Sequence, residues 1–319
     1  MELLHRRRWI QGAAAAAAGV ACGARSQPTL AAGETVLEEV ESAYNHIVVT
    51  ERGTVRTMYF VVDGTYFIES RLDRGYAESL DLDYTRTMMA GFLVKPDAKR
   101  FLMIGFGGGQ ITNYLFKRFG GLEIDAVDID AEVIRLARKY FEVPDDPRYR
   151  THAADGRLFV EQAAGQPWDI VLLDAFRGVF VPMHLKTAEY YRTLRENLSP
   201  DGVVAANLHS LTEKYPSDRN TFASVFRQNY AFRSENGRQT CFVASPAADP
   251  VSPYALRERA RALQPKFDFD MLGLAARLHL SRDWDPTAPV LHDDFERSEA
   301  GAKRHNRSCV GDDCPYSTR

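Results

Sequence analysis

The stretch that most restricts this chain is Phe101-Leu102-Met103-Ile104-Gly105-Phe106-Gly107-Gly108-Gly109-Gln110. Four apolar residues read as a buried strand, a glycine-rich turn follows, and a helix begins just beyond it. Gly105, Gly107, Gly108 and Gly109 permit a tight turn and let a ligand approach bare backbone at a helix N-terminus. The spacing is G-x-G-G-G and no Gly-Lys-Ser/Thr follows, which sets it apart from the phosphate loop of P-loop nucleotidases. Many nucleotide-binding folds share such a turn, so its neighbours must carry the rest of the assignment.

Those neighbours alternate between strand and helix. Ile111 to Phe119 reads as a helix, Glu123 to Val127 as a second strand, and Ala131 to Tyr140 as a second helix. Asp169 to Leu173, Thr187 to Leu198 and Val203 to Leu208 continue as strand, helix and strand, with Pro200-Asp201-Gly202 as a turn. Alternation of this kind implies a parallel sheet covered on both faces, a doubly wound Rossmann-like α/β domain. Upstream, Ile47-Val48-Val49, Thr57 to Val62 and Tyr66-Phe67-Ile68 are short β-branched and aromatic runs broken at Glu51-Arg52-Gly53 and Asp63-Gly64. They predict a small antiparallel β-hairpin subdomain, Asp-Gly being a strong hairpin signal. Tyr84 to Val94 reads as one helix that Pro96 stops. Phe222 to Phe226 starts a further helix, Arg238 to Ala244 a late strand, and Tyr254 to Leu263 and Met271 to Leu280 two more helices. The expected division is an export signal or disordered segment over residues 1–33, a β subdomain over 34–80, the α/β domain over 81–298 and a polar disordered tail over 299–319.

Three acids fall at successive strand ends of the α/β unit. Asp128, in Asp125-Ala126-Val127-Asp128-Ile129-Asp130, can accept hydrogen bonds from both hydroxyls of a ribose. Its alternative is a helix N-cap, a role that Asp130 fills better. Asp155-Gly156 can offer a carboxylate and a backbone N–H to an adenine edge. Asp174 ends a strand at the sheet edge where doubly wound folds bind ligands. Turn or cap duty is the other reading of both. His184 and His209 fall near strand ends, as bases near neutral pH or as loop and capping residues.

Composition narrows the class. Forty basic and 43 acidic residues leave a net charge of −3, so no overall field draws the molecule to nucleic acid. The cysteines are Cys22, Cys241, Cys309 and Cys314, without zinc-ligand spacing, and no metal is expected. Cys241 sits in an apolar run and reads as a buried strand thiol; Cys309 and Cys314 suit a disulfide only in an oxidising compartment. Arg6-Arg7-Arg8-Trp9-Ile10, the alanines from Ala13 to Ala18 and the small residues after them have the parts of an export signal of twin-arginine type. That predicts an exported or periplasmic protein whose only membrane attachment is through its N-terminus. The other reading is an alanine-rich extension on a cytoplasmic protein.

At this point the chain resembles the spermidine synthase (polyamine aminopropyltransferase) family. The residues that carry the likeness are Tyr44 to Val49, Val62-Asp63-Gly64, Met103-Ile104-Gly105, Val127 to Asp130, Lys139-Tyr140-Phe141, Asp146-Pro147-Arg148 and Ala154-Asp155-Gly156. It is most similar to the spermidine-synthase-like branch, through Tyr84 to Met88, Asp174-Ala175-Phe176, Val181 to Leu185 and Leu291 to Phe295. The resemblance implies a class I methyltransferase-type fold and S-adenosylmethionine or decarboxylated S-adenosylmethionine as substrate. It also implies a small-molecule amine or other nucleophile as acceptor, release of methylthioadenosine, and a homodimer. By position, Asp128 would hold the ribose with Ile129 beside the adenine, and Asp155 and Gly156 would meet the adenine edge. The glycine turn would face the methionine-derived part, and Asp174, with Tyr84 and Arg177, would line the reaction centre.

Two positions depart from the family pattern. Its first turn reads Gly-Gly-Gly-Asp-Gly, and Gly108 stands at the Asp. Its later strand ends in Asp-x-x-Asp-Pro, whose second Asp deprotonates the attacking amine, and Arg177 stands there. A diamine dication needs carboxylates to leave water, and a like charge costs several kcal/mol, on the order of a thousandfold in affinity. The loss of two acids therefore predicts poor putrescine binding. It points to a nucleoside that keeps its α-carboxylate beside Arg177 or Arg86, since guanidinium pairs bidentately with carboxylate; a solvent-facing Arg177 is the other reading. A methyltransferase, an adenosyl-binding protein without turnover and an NAD-dependent dehydrogenase are the alternatives.

Overall fold

The computed structural model describes residues 30, 33–76, 79–163, 165, 167–176, 181–280 and 284–294. Two sheets organise them. The first is antiparallel, β1 (Thr35–Glu41), β2 (His46–Arg52), β3 (Val55–Val62) and β4 (Thr65–Asp73), joined in sequence order. Asp63 and Gly64 both take positive φ, 49° and 76°, between β3 and β4, the mirror-image turn that Asp-Gly favours. The β3–β4 register carries one irregularity. Met58 pairs with Ser70 and Tyr59 with Ile68, so Glu69 has no partner on β3. A bulge of this kind re-aims a side chain out of the strand's alternation.

The second sheet has eight strands. Helices α1 (Asp83–Met88) and α2 (Ala90–Val94) lead into β5 (Arg100–Ile104), α3 (Gln110–Arg118), β6 (Glu123–Asp128), α4 (Ala131–Tyr140), β7 (Tyr149–Ala153) and α5 (Gly156–Glu161). Next come β8 (Trp168–Leu173), α6 (Ala188–Glu196), β9 (Leu198–His209), α7 (Tyr215–Val225), β10 (Gln228–Arg233) and β11 (Gln239–Ser245), and α8 (Pro253–Leu263), α9 (Met271–Ala276) and β12 (Leu278–His279) complete it. The strand order is β12-β10-β11-β9-β8-β5-β6-β7. Strands β5 to β9 are parallel, and β10, β11 and β12 join antiparallel at one edge. One face packs on aromatic residues including Phe92, Phe101, Tyr114, Phe119 and Phe267, the other on Tyr190, Tyr191, Phe222 and Phe242. The chain order reverses between β5, which leads to β6, and its neighbour β8, and that switch point opens the crevice where such sheets take ligands.

The α/β fold with a small N-terminal antiparallel sheet is as the sequence predicts, with local differences. The segment 84–94 is two helices rather than one, because the Met89 amide closes onto Arg86 and Thr87 carbonyls and ends α1. The helix expected from Phe222 is instead the end of α7, and β10 follows it at once, its Tyr230, Ala231 and Phe232 buried between neighbours. Helix α9 ends at Ala276, and Leu278–His279 pair with β10, where a continuous helix is expected from the sequence. In the last two cases sheet pairing overrides local helical propensity. The expected signal, the tail, Cys22, Cys309 and Cys314 lie outside the described residues. Among the described residues, no helix is long and apolar enough to cross a membrane.

The two sheets meet across α4. Ile47, Val49, Met58, Phe60 and Leu72 pack on Val133, Leu136 and Phe141. Glu38 of β1 accepts from Arg135 (2.6 Å), Lys139 (2.7 Å) and Tyr140 (2.8 Å) of α4. Those cations hold its carboxyl well below the usual range, down to about 2. Burial and charge thus dock the N-terminal sheet against the turn that β5 feeds.

Candidate functional site

The glycine turn is forced by its surroundings. Gly105 sits at φ 91°, and a Cβ there would lie 2.5 Å from the Asp174 carbonyl oxygen, because the exit of β8 crosses it. A Cβ at Gly109 (φ 74°) would meet the Phe106 ring at 2.7 Å. At Gly108 the obstacle is the N-terminal sheet: a Cβ would lie 2.7 Å from the Ser70 Cβ and 3.0 Å from Phe141. A side chain at this position would meet β4, which fills the space it would need.

The turn's amides are also spoken for. Phe106 and Gly107 N–H donate to Asp128 Oδ2 at 3.0 and 3.2 Å, and Gly108 N–H donates to Ser70 Oγ at 2.7 Å. Asp128 Oδ1 accepts from the Asp130 amide at 3.0 Å. Burial raises the Asp128 carboxyl above its ordinary range, against three amide bonds that favour its ionised form. Asp130 caps α4 through the Glu132 amide (3.0 Å) and accepts from Ser42 Oγ and Asn45 Nδ2, at 2.5 and 2.9 Å. Asp130 is the cap, as expected, whereas Asp128, expected to be free for a ribose, has both oxygens bonded to backbone amides. Ile129 between them is exposed.

Asp155 caps α5. Its Oδ1 accepts from the Arg157 and Leu158 amides at 2.9 and 3.0 Å, and its Oδ2 faces His184 Nε2 at 2.8 Å. Its capping role is thereby filled, and His184 is committed to that carboxylate. Gly156 is required by packing, since a Cβ would meet Ile104 Cγ2 at 2.4 Å. His209 lies edge-on to Phe176, with ring centroids 4.9 Å apart. Burial and the Lys186 cation push it down to about 4, so it is neutral at pH 7.

The reaction-centre candidate is Asp174. Asn207 Nδ2 donates to its Oδ1 at 2.9 Å, and the Tyr84 hydroxyl on α1 is near enough to interact with it. Burial pushes the carboxyl up to about 7. Burial and then the negative charges of Asp174 and Glu69 raise Tyr84 well above its usual range. Arg177 lies outside the described residues. Arg86 turns away to the Leu80 carbonyl, at 3.3 Å.

Sequence reasoning passed over Glu69. The bulge in β4 turns its carboxylate toward the glycine turn, with Oε1 3.2 Å from where a Gly107 Cβ would stand. Burial raises its pKa well above the ordinary value, and Asp128 and Asp174 add to the shift. The only local signal was an acid between Ile68 and Ser70 in an otherwise strand-like run, which reads as an ordinary surface position. Glu69, Asp128 and Asp174 thus converge on one half-buried crevice with Tyr84. Among the described residues, no group of three or more His, Cys, Asp or Glu side chains is placed to hold a metal ion.

Comparison with known proteins fits this geometry. Residues 83–229 match the family model described as the spermine/spermidine synthase domain. A polyamine aminopropyltransferase of Vibrio vulnificus is 31% identical over 268 residues, covering 82% of this chain and 89% of that protein. The crystal structure of a probable spermidine synthase from Corynebacterium glutamicum superposes with a TM-score of 0.62 at 19% identity, covering 80% of this chain and 96% of the other. A spermidine synthase in complex with the transition state analogue AdoDATO superposes with a TM-score of 0.59 at 20% identity, covering 84% of this chain and 87% of the other.

Proposed function

Given that the chain belongs to the spermine/spermidine synthase family, we propose that it is an aminopropyltransferase using decarboxylated S-adenosylmethionine and a cationic amine acceptor. The observation that carries this reading is the convergence of Glu69, Asp128 and Asp174 on one crevice, where the charges acting on Glu69 are those of two other acids. Like charges packed in low dielectric are costly, and a bound cation relieves that cost. Glu69 supplies negative charge beside Gly108 and Arg86 is turned aside to the Leu80 carbonyl, which favours the decarboxylated donor over a carboxylate-bearing one.

In this reading Asp128, held in place by the turn amides, accepts from the ribose hydroxyls as well, and the adenine lies between Ile129 and the Asp155–Gly156 corner. The acceptor enters beside Tyr84 and Asp174. Its nitrogen lone pair attacks the methylene carbon bonded to the sulfonium, the C–N bond forms, and the C–S electrons return to sulfur. Neutral methylthioadenosine leaves, and the new ammonium gives its surplus proton to Asp174. A base with a pKa near 7 suits that transfer at neutral pH. Asn207 and Tyr84 fix the carboxylate's orientation, so positioning supplies much of the rate.

Incubation of the protein with decarboxylated S-adenosylmethionine and a panel of diamines, read by chromatography, should release methylthioadenosine in step with a propylated amine. S-adenosylhomocysteine formed from S-adenosylmethionine would instead make it a methyltransferase and sink the proposal. Export through the Arg6-Arg7 segment is a second part of the proposal, with the folded protein carrying its ligand out. Fractionation of the full chain beside a variant with both arginines changed to Lys tests it, and equal distribution of the two would refute it.

A further inference from the structure

Two stretches of the chain, Val181 to Leu185 and the run that starts at Leu291, supply none of the crevice acids. They meet at Arg157, the second residue of α5. Its guanidinium pairs bidentately with Asp293, Nη1 to Oδ1 and Nη2 to Oδ2, both at 2.7 Å. Nη1 also donates to the His184 carbonyl at 3.3 Å, and Nε to Glu161 at 2.7 Å. One side chain thus joins α5, the segment before α6 and a stretch beyond β12. That last stretch is itself well seated. Leu291 is fully buried, its carbonyl accepts from the Ala188 amide at the start of α6 (2.8 Å), and its amide donates to Thr221 Oγ1 of α7 (2.9 Å). Glu189 accepts from the Asp293 amide at 3.2 Å and faces His292 Nδ1 at 2.8 Å. The side chains of Arg157 and Asp293 are 20% and 43% exposed, so their pair adds little to overall stability. A planar fork on a carboxylate fixes direction instead.

We propose that Arg157 and Asp293 are positioning residues, a clasp that holds the Asp155–Gly156 corner in place and so sets the protein's preference for adenine over other purines. This rests on the adenosyl-binding part of the proposed function. The corner and α5 move as one. Asp155 is bound to the Arg157 and Leu158 amides, and Gly156 is wedged on Ile104 with no room for a Cβ. What ties α5 to the rest of the edge is the Arg157 fork, which ends on a stretch anchored to α6 and α7. Asp155 Oδ2 faces His184, whose carbonyl the same guanidinium holds, and a carboxylate oxygen keeps a further lone pair for a ligand donor. Adenine and hypoxanthine differ only at N1 and C6, where an amino donor gives way to a carbonyl. Telling them apart requires an acceptor at a fixed place, because a hydrogen bond weakens steeply outside a narrow range of distance and angle. A corner released from its clasp loses that discrimination before it loses its fold.

Calorimetry on the full chain would compare wild type, Arg157→Met, Arg157→Lys and Asp293→Asn with two probes, methylthioadenosine and methylthioinosine. These share ribose and thioether and differ only in the base. Wild type should bind methylthioadenosine about tenfold tighter or more, the worth of a hydrogen bond to a charged group. Arg157→Met and Asp293→Asn should each cut that preference about threefold or more, by weakening methylthioadenosine while methylthioinosine stays within about twofold of wild type. Arg157→Lys keeps the charge but loses the fork, and should behave as Arg157→Met does. Thermal melts of all three variants should stay close to that of wild type. Equal weakening of both nucleosides would show a merely structural role and overturn the proposal. So would variants that keep the full preference, or a wild type that binds both nucleosides alike. If wild type showed the preference and the variants lost it, yet no aminopropyl group was ever transferred, the functional reading would fall while the clasp stood.

Discussion

The two ends of the crevice are built on opposite principles. At the ribose end every polar group has a backbone partner: Asp128 takes three amides, Ser70 a fourth, and Asp130 caps a helix. At the other end stand Asp174 and Tyr84, within the field of Glu69, and burial drives all three pKa values up. The first end is organised before any ligand arrives. The second is held under electrostatic load that the surrounding fold must carry. A site divided in this way grips the common part of its ligand with fixed geometry and reads the variable part by charge.

Removing the loaded acid should expose the division most clearly. Asp174→Asn should lower the rate of transfer by about a hundredfold to ten-thousandfold, the range for a lost general base. In wild type, kcat/KM should rise through an apparent pKa near 7, as Asp174 must lose its proton to accept one. That limb should vanish in the variant, and its persistence would place the base elsewhere. Stability should move the other way. Because the folded-state pKa lies above the unfolded value, the native protein binds an extra proton between the two, and stability falls as pH rises through that window. Asp174→Asn should therefore melt higher than wild type at pH 8 and gain nothing at pH 4.

The organised end should respond through binding and folding. Asp128→Ala should weaken methylthioadenosine about tenfold to a hundredfold by titration, the worth of hydrogen bonds to a charged group. An unchanged affinity would break the claim that this end holds the ribose. Gly108→Ala forces a methyl against Ser70 and Phe141 and should cost about 1–3 kcal/mol in denaturant unfolding. Asp155→Ala removes the α5 cap and should cost about 1 kcal/mol by the same measurement. A much larger loss of ligand than of stability in Asp155→Ala would mean that its carboxylate serves the adenine in addition to the cap.

Much of the organised end was legible in the residues themselves. Gly105, Gly107, Gly108 and Gly109 after an apolar run, Asp128 closing the next strand and Asp130 one step before a helix are local patterns, set by φ, capping and strand exit within a few positions. Asp174 was legible for the same reason, as an acid ending a parallel strand. Its bond to Asn207 reaches 33 positions away to β9, and its approach to Tyr84 reaches α1; no spacing rule announces either. The helix expected from 222 went astray where a sheet edge, absent from any local window, claimed the backbone, and the one expected over 84–94 broke at Met89.

By itself the sequence determined the doubly wound sheet, the bare turn and the two acids at strand ends, because each follows from short-range backbone chemistry. Only tertiary structure decided that Gly108 must lack a side chain and that Glu69 faces the crevice. Both depend on β4 packing across the turn with one residue out of register, a long-range fit between two sheets that alternation along a single strand does not encode.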